Sequence, residues 1–219
     1  MRILGLDTAT PATAVALMLP GGELLEGRDD AAPGGRPQHA KRLLALSARL
    51  LEEAGLRFAD LDLVAAGRGP GSYTGLRIAL ATARGIARGA DARLVGVSTL
   101  RALAEPLGER AVAAIIDARR GEAFIAVYRG AQTLEAPRVC APERLAATVR
   151  RGGPGCLAVG DGALRFAELL EGAGVDVAAA QSDLHRLSAG AICRLAAAGA
   201  STAAEPEYLR APDAERTAK

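Results

Sequence analysis

The sequence predicts an α/β fold of two similar lobes, and three observations carry that expectation. Apolar strand-like runs alternate with helix-like stretches along the 219 residues. A strand, polar turn and strand pattern occurs twice, once at each lobe's start. Between the copies, RALAEPLGER at 101–110 interrupts the apolar pattern with Pro106 and Gly108. The lobes are therefore placed at 1–105 and 106–219, with a tail from about 211 that lacks apolar anchors and is expected to be loose.

In the first lobe, Ile3 to Leu6 is a short apolar run ending at Asp7, TATPAT is a turn, and Ala14 to Leu19 is the returning strand. Residues 39–54 read as a helix and LDLVAAG as a buried strand ending at Gly67. GRGPGSYTGLR then leads into a second helix at 75–89. LVGV precedes a helix capped by Ser98 or Thr99. In the second lobe AAIID, ARRGE and AFIAVY repeat the opening pattern. Setting Asp7 on Asp117 places Val15 on Ile125 and Leu17 on Val127. PERLAATVR is helical, CLAVG is a strand, GDG at 160–162 turns into ALRFAELLEGAG, and LSAGAICRLAAAG is the last helix.

Composition narrows the function. Half the residues are apolar, which excludes disorder, and a formal charge of +2 with both signs interspersed gives no field able to hold nucleic acid without a partner. Cys140, Cys156 and Cys193 are isolated and odd in number, so they read as small buried hydrophobes. MRILGLDTAT carries one basic residue and an apolar run broken by Asp7, neither a signal peptide nor a membrane span, so a cytoplasmic protein is expected. His39 and His185 lack HxxxH or HExxH spacing, so no metal site is expected. Ser72, in GPGSYTG, is not the serine of a GxSxG elbow, and no catalytic nucleophile is assigned.

Two kinds of site stand out. Asp7 ends a strand before a hydroxyl-rich turn, a placement suited to holding a metal-bound water or a phosphate with Thr8, and Asp117 is its counterpart. An aspartate ending a strand is also a common turn former. The glycine loop at 67–77 and the GDG turn, with Gly160 and Gly162, precede helix N-termini whose amides favour anions. Neither matches a Walker or dinucleotide motif, and a tight turn accounts for each by itself. The second kind is a helix face. On helix 39–54 apolar residues fill roughly 200° of the wheel, and helix 75–89 is almost all small or apolar apart from Arg77, Arg84 and Arg88 within roughly 40°. Either both helices are buried in the monomer or each also meets a partner protein. The partner-facing candidates are Leu43, Leu46, Leu50, Leu76, Ala79, Leu80, Ala83 and Ala87. The arginine stripe is either a solvated face or one directed at acidic groups of a partner.

MRILGLDTAT, GRGPGSYTGLRIALATARGIA, GVSTLRALA, AIIDARRGEAFIAVY and EPEYLR occur in order and resemble the TsaB (YeaZ) family of bacterial tRNA threonylcarbamoyladenosine biosynthesis proteins from residue 1 to about 210. The resemblance implies a duplicated actin-like, sugar-kinase-like and Hsp70-like fold (ASKHA, ribonuclease H-like). It implies a subunit without catalysis that pairs with the catalytic subunit TsaD through the two helices, works with the ATPase TsaE, and pairs with itself when alone. It implies tRNA contact only through that complex, no membrane, and no cofactor of its own, with ATP or ADP at the TsaD interface left open. The alternative is a free-standing ATPase or small-molecule kinase of the same fold using Asp7 and Asp117 with magnesium. A peptidase is a third reading, which no nucleophile or metal triad supports.

Overall fold

A computed structural model describes residues 1–30 and 37–210, and the tail expected from about 211 lies outside the described residues. The chain runs β1 (Ile3–Asp7), β2 (Thr13–Met18), β3 (Leu24–Asp29), α1 (His39–Glu53), β4 (Leu63–Gly69), α2 (Tyr73–Ala90), β5 (Arg93–Ser98) and α3 (Thr99–Ala104). It continues as β6 (Ala111–Asp117), β7 (Ala123–Arg129), β8 (Gln132–Cys140), α4 (Pro142–Val149), β9 (Leu157–Val159), α5 (Asp161–Arg165), α6 (Ala167–Gly172), β10 (Asp176–Val177) and α7 (Ala189–Ala197). These form two five-stranded sheets, ordered β3-β2-β1-β4-β5 and β10-β9-β6-β7-β8. In each, the first three strands in chain order form an antiparallel meander and the last two join in parallel. The duplicated α/β architecture is thus present strand for strand.

The first sheet is covered on both faces, which is why β1 and β2 are buried at every position and, apart from Asp7 and Thr13 at their ends, carry no polar side chain. Leu4, Leu6, Val15 and Leu17 point to α1 and α2, packing with Leu43, Leu50, Leu80 and Ala83. Ile3, Ala14, Ala16 and Met18 point the other way and pack with Ile192, Cys193 and Leu195 of α7. A fully buried leucine here contributes roughly 1.5–3 kcal/mol. The sheet approaches α7 closely because position 5 has no side chain: a Cβ on Gly5 would fall 2.7 Å from the Ala189 carbonyl oxygen and the Cys193 sulfur.

That helix moves the boundary drawn from sequence. Residues Met1–Ala102 and Leu187–Pro206 form one unit, and Leu103–Arg186 with the described residues after Pro206 form the other. The second face of β1 and β2 needs an apolar cover, and the chain returns from the second unit to supply it. In the second unit, Ile115, Ile125 and Val127 pack under Leu145 and Val149 of α4 and Leu170 of α6. All three cysteines are buried and unpaired by disulfides, as their isolation suggested.

The two hairpins differ in length by one residue. Asp7 pairs with Ala14 across six residues, whereas Asp117 pairs with Ala123 across five. Counted along the hairpins from the two aspartates, Val15 falls level with Phe124 and Leu17 with Ala126. By the faces they serve, Val15 still corresponds to Ile125 and Leu17 to Val127, since α1 and α2 cover Val15 and Leu17 and α4 and α6 cover Ile125 and Val127; the one-residue slip is taken up at the aspartates. The physical cause is the second turn, where Arg119, Arg120 and Gly121 are all left-handed, with φ of 62°, 55° and 77°, and close the hairpin with one residue fewer.

Candidate functional site

Asp7 is fully buried at the end of β1. Its Oδ1 accepts the Ala9 amide at 2.8 Å and its Oδ2 accepts the Thr99 hydroxyl at 3.4 Å. Burial pushes its pKa up to about 6, against the smaller pull of the Ala9 amide, the Thr99 hydroxyl and the Arg28 charge. Thr99 is thereby occupied, and Ser98 takes the capping role, its Oγ accepting the Arg101 amide at 3.5 Å.

The glycine loop between β4 and α2 is explained by what lies against it. A Cβ on Gly67 would stand 1.8 Å from Asp7 Oδ2, one on Gly75 1.9 Å from the Thr8 carbonyl oxygen, and one on Gly71 2.5 Å from the Ala9 carbonyl oxygen. Three consecutive residues of the first turn thus each dock on a glycine. Hydrogen bonds complete the seam: Thr8 Oγ1 donates to the Gly75 carbonyl at 2.7 Å, and the Ser72 amide donates to the Ala9 carbonyl at 2.8 Å. Ser72 Oγ caps α2 by accepting the Gly75 amide at 3.3 Å. A close-packed turn is what these glycines build.

The second unit repeats the arrangement with different chemistry. A Cβ on Gly160 would fall 2.1 Å from the Ile115 carbonyl oxygen, and one on Gly162 2.8 Å from the Ile116 carbonyl carbon, so the GDG turn packs on the end of β6 as the first loop packs on β1. Asp161 Oδ1 accepts the Asp117 amide at 3.1 Å. Burial raises the Asp161 pKa, the Asp117 and Gly162 amides oppose the rise, and the Asp117 charge adds to it. Asp117 Oδ2 is held by Arg165 at 2.9 Å and Arg119 at 3.3 Å, while its Oδ1 accepts the Arg119 amide at 2.8 Å. The structure therefore brings Asp117, Gly160 and Gly162 together in one unit, and Asp7 with Thr8 in the other. Sequence reasoning missed Arg119, Arg165 and Asp161; the RR of IDARRGE and the D of GDG were the available signals.

The helix-face residues require correction. Leu43, Leu50, Leu76, Ala79, Leu80, Ala83 and Ala87 are all buried within the first unit, and Leu46 is half-buried against the same core. The seven buried side chains are covered within the first unit, whereas Leu46 keeps part of its surface exposed. The exposed residues are their neighbours. On α1, Ala40, Leu44 and Ala48 form a row at intervals of four, and Leu44 is 51% exposed. On α2, a sector roughly 100° wide holds exposed Thr74, Ala81, Gly85 and Gly89 with half-buried Ile78 and Thr82, without one charge. A Cβ on Gly85 or Gly89 would meet nothing within 4 Å. All three arginines of the stripe are exposed, with Arg84 donating to the Ala204 carbonyl at 2.8 Å and Arg77 lying 4.2 Å over the Tyr73 ring.

Both histidines are tied into the fold. His39 Nδ1 is 2.9 Å from the Thr13 hydroxyl, and burial lowers its pKa despite the charge of Asp29. His185 places Nδ1 3.0 Å from the Gly160 carbonyl and Nε2 3.0 Å from the Ala178 carbonyl. Among the described residues no three His, Cys, Asp or Glu side chains gather as a metal would need, and no helix is long and apolar enough to cross a membrane.

Residues 35–212 match the family described as TsaD, tRNA N6-adenosine threonylcarbamoyltransferase. The tRNA threonylcarbamoyladenosine biosynthesis protein TsaB of Escherichia coli is 40% identical over 133 residues, covering 59% of this chain and 55% of that protein. Its Haemophilus influenzae namesake is 38% identical over 128 residues, covering 57% and 52%. These alignments span about half the length of the curated relatives. A solved structure of YeaZ from Pseudomonas aeruginosa superimposes with a TM-score of 0.77 at 31% identity, covering 95% of this chain and 100% of that one. A second, described as an uncharacterised protein with similarity to peptidase YeaZ from the same organism, gives 0.78 at 32%, covering 95% and 99%.

Proposed function

Because the chain belongs to the TsaB (YeaZ) family, within the wider tRNA N6-adenosine threonylcarbamoyltransferase family, we propose that it is a non-catalytic partner subunit in tRNA threonylcarbamoyladenosine biosynthesis. It pairs with a TsaD-type catalytic subunit and works with the ATPase TsaE. One observation carries the reading: its candidate chemical groups are consumed by the fold, while an uncharged face of α1 and α2 is left open. Asp7 is buried between the Ala9 amide and the Thr99 hydroxyl, and Asp117 already holds two arginines. His39 and His185 face a hydroxyl and backbone carbonyls. A free-standing kinase would need both aspartates available to magnesium and phosphate, so their engagement weighs against that alternative. Ser72 acts as a helix cap, which weighs against a peptidase.

The open face supplies the positive half of the reading. Small residues let another helix approach closely, and an apolar sector of this width is what a helix-on-helix interface uses. Pairing through Leu44, Ala48, Ala81 and Gly85 does not disturb the core residues beneath them. Any ATP or ADP the complex takes would bind with the catalytic partner. The test is reconstitution: the purified chain alone shows no ATPase or threonylcarbamoyl transfer, and adding it to TsaD, TsaE, tRNA and threonylcarbamoyl adenylate restores transfer to tRNA. Transfer that proceeds equally without the chain contradicts the reading, and saturable nucleotide hydrolysis by the chain alone, lost in Asp117→Ala, supports the kinase instead.

A further inference from the structure

We propose that the Arg119–Arg120 turn of the second unit is a phosphate-binding knuckle for tRNA, an inference that rests on the function proposed above. The backbone is the first reason. Arg119, Arg120 and Gly121 are left-handed in series, with φ of 62°, 55° and 77°. Glycine or asparagine holds such a turn with little strain. Arginine at two of the three positions is locally unfavourable, and both arginines are exposed rather than packed into a core that would compensate. Strain of this kind persists where function retains it and the surroundings enforce it.

The surroundings do enforce it. Arg210 donates to the Ala118 carbonyl at 2.9 Å and pairs with Glu122, gripping both ends of the turn. The Ala118 amide donates to the Glu122 carbonyl at 3.0 Å beneath it. Charge is arranged in layers: the Asp117 side chain is 9% exposed, whereas those of Arg119 and Arg165 around it are 69% and 45% exposed. The acid orients the guanidinium groups from below and solvent meets cations.

The chemistry of the tip selects the partner. Guanidinium forks match phosphate oxygens bidentately. A protein interface draws its affinity from a buried aromatic or aliphatic anchor, and this tip has none: Ala118 is buried and Gly121 has no side chain. An RNA backbone needs only cations at the right spacing. With a formal charge of +2, the whole chain adds a small contact to a site whose larger share lies on the partner.

The experiment titrates the full-length chain, mixed with a TsaD-family subunit, against fluorescein-labelled tRNA by anisotropy over a salt series, with size-exclusion chromatography of the same samples. Arg119→Ala with Arg120→Ala is expected to weaken tRNA binding several-fold and to reduce the magnitude of the log K against log salt slope by about 1.4–1.8, two contacts at about 0.7–0.9 each. Arg119→Lys with Arg120→Lys retains the slope. Arg119→Asn with Arg120→Gly, which relieves the backbone, raises the melting temperature yet loses the same tRNA affinity; a purely structural turn gains stability and leaves tRNA binding unchanged. Unaltered affinity and slope in a variant that still pairs overturns the proposal and leaves the function standing. A wild-type chain that never co-elutes with the subunit overturns the function first, and the knuckle with it.

Discussion

Asp7 and Asp117 end equivalent strands of two equivalent sheets, and their surroundings are opposite. Asp7 sits dry at the start of a turn in which it, Thr8 and Ala9 each dock on a glycine, and it is held by one amide and one hydroxyl. Asp117 lies beneath an exposed turn, held by two arginines, while the neighbouring GDG loop contributes a second carboxylate to its amide. A duplicated backbone therefore fixes where a side chain stands but not its chemistry, which follows from solvent access and from partners. In the first unit the motif has become part of the core; in the second it has become a charged surface.

Substitution of the docking glycines separates the two most sharply. Gly75→Ala would drive its Cβ into the Thr8 carbonyl, and it is expected to cost about 3 kcal/mol or more in urea unfolding. Gly121→Ala in the second turn meets open space but a left-handed backbone, and should cost only about 1–2 kcal/mol. Equal losses would abolish the distinction between a packed and an exposed turn.

The pH dependence of stability sharpens the comparison. Asp7 moves from 3.8 to about 6 on folding, so the folded state holds a proton that the unfolded state has released. Its stabilisation is fully present below about pH 4 and is lost as pH rises through 6, amounting to about 3 kcal/mol at about 1.36 kcal/mol per pH unit. Asp7→Asn, which titrates no longer, should flatten urea midpoints across this window. Asp117→Asn removes ion pairs to two well-exposed arginines and should cost less than about 1 kcal/mol, falling further in high salt. An equally large loss there would mean that Asp117 is also a core group.

Much of this was legible in the residues. The repeated strand, turn and strand units stand out because their apolar runs are uninterrupted, and the glycine loops because Gly67, Gly71 and Gly75 crowd one turn. The edge strands β3 (LLEGRD) and β8 (QTLEAPRVC) were not, since exposed edges carry mixed residues with no clear period. The allegiance of α7 was not legible either, because an apolar helix does not specify which sheet it covers. The helix faces show the limit most plainly. A wheel gives the width of an apolar arc but not the part a sheet hides, so the partner-facing candidates include buried Leu43 and leave out exposed Leu44. Truncating each shows the difference: Leu43→Ala should cost about 2–5 kcal/mol in stability, and Leu44→Ala less than about 0.5 kcal/mol.

The most direct test is the mass, by light scattering after size exclusion, of the chain mixed with a TsaD-family subunit, for wild type and for Leu44→Glu with Ala81→Arg. The wild-type chain should elute as a joint particle. The double variant, with an unchanged melting temperature, should leave the two proteins to elute separately. A double variant that still joins its partner contradicts the assignment of this helix face.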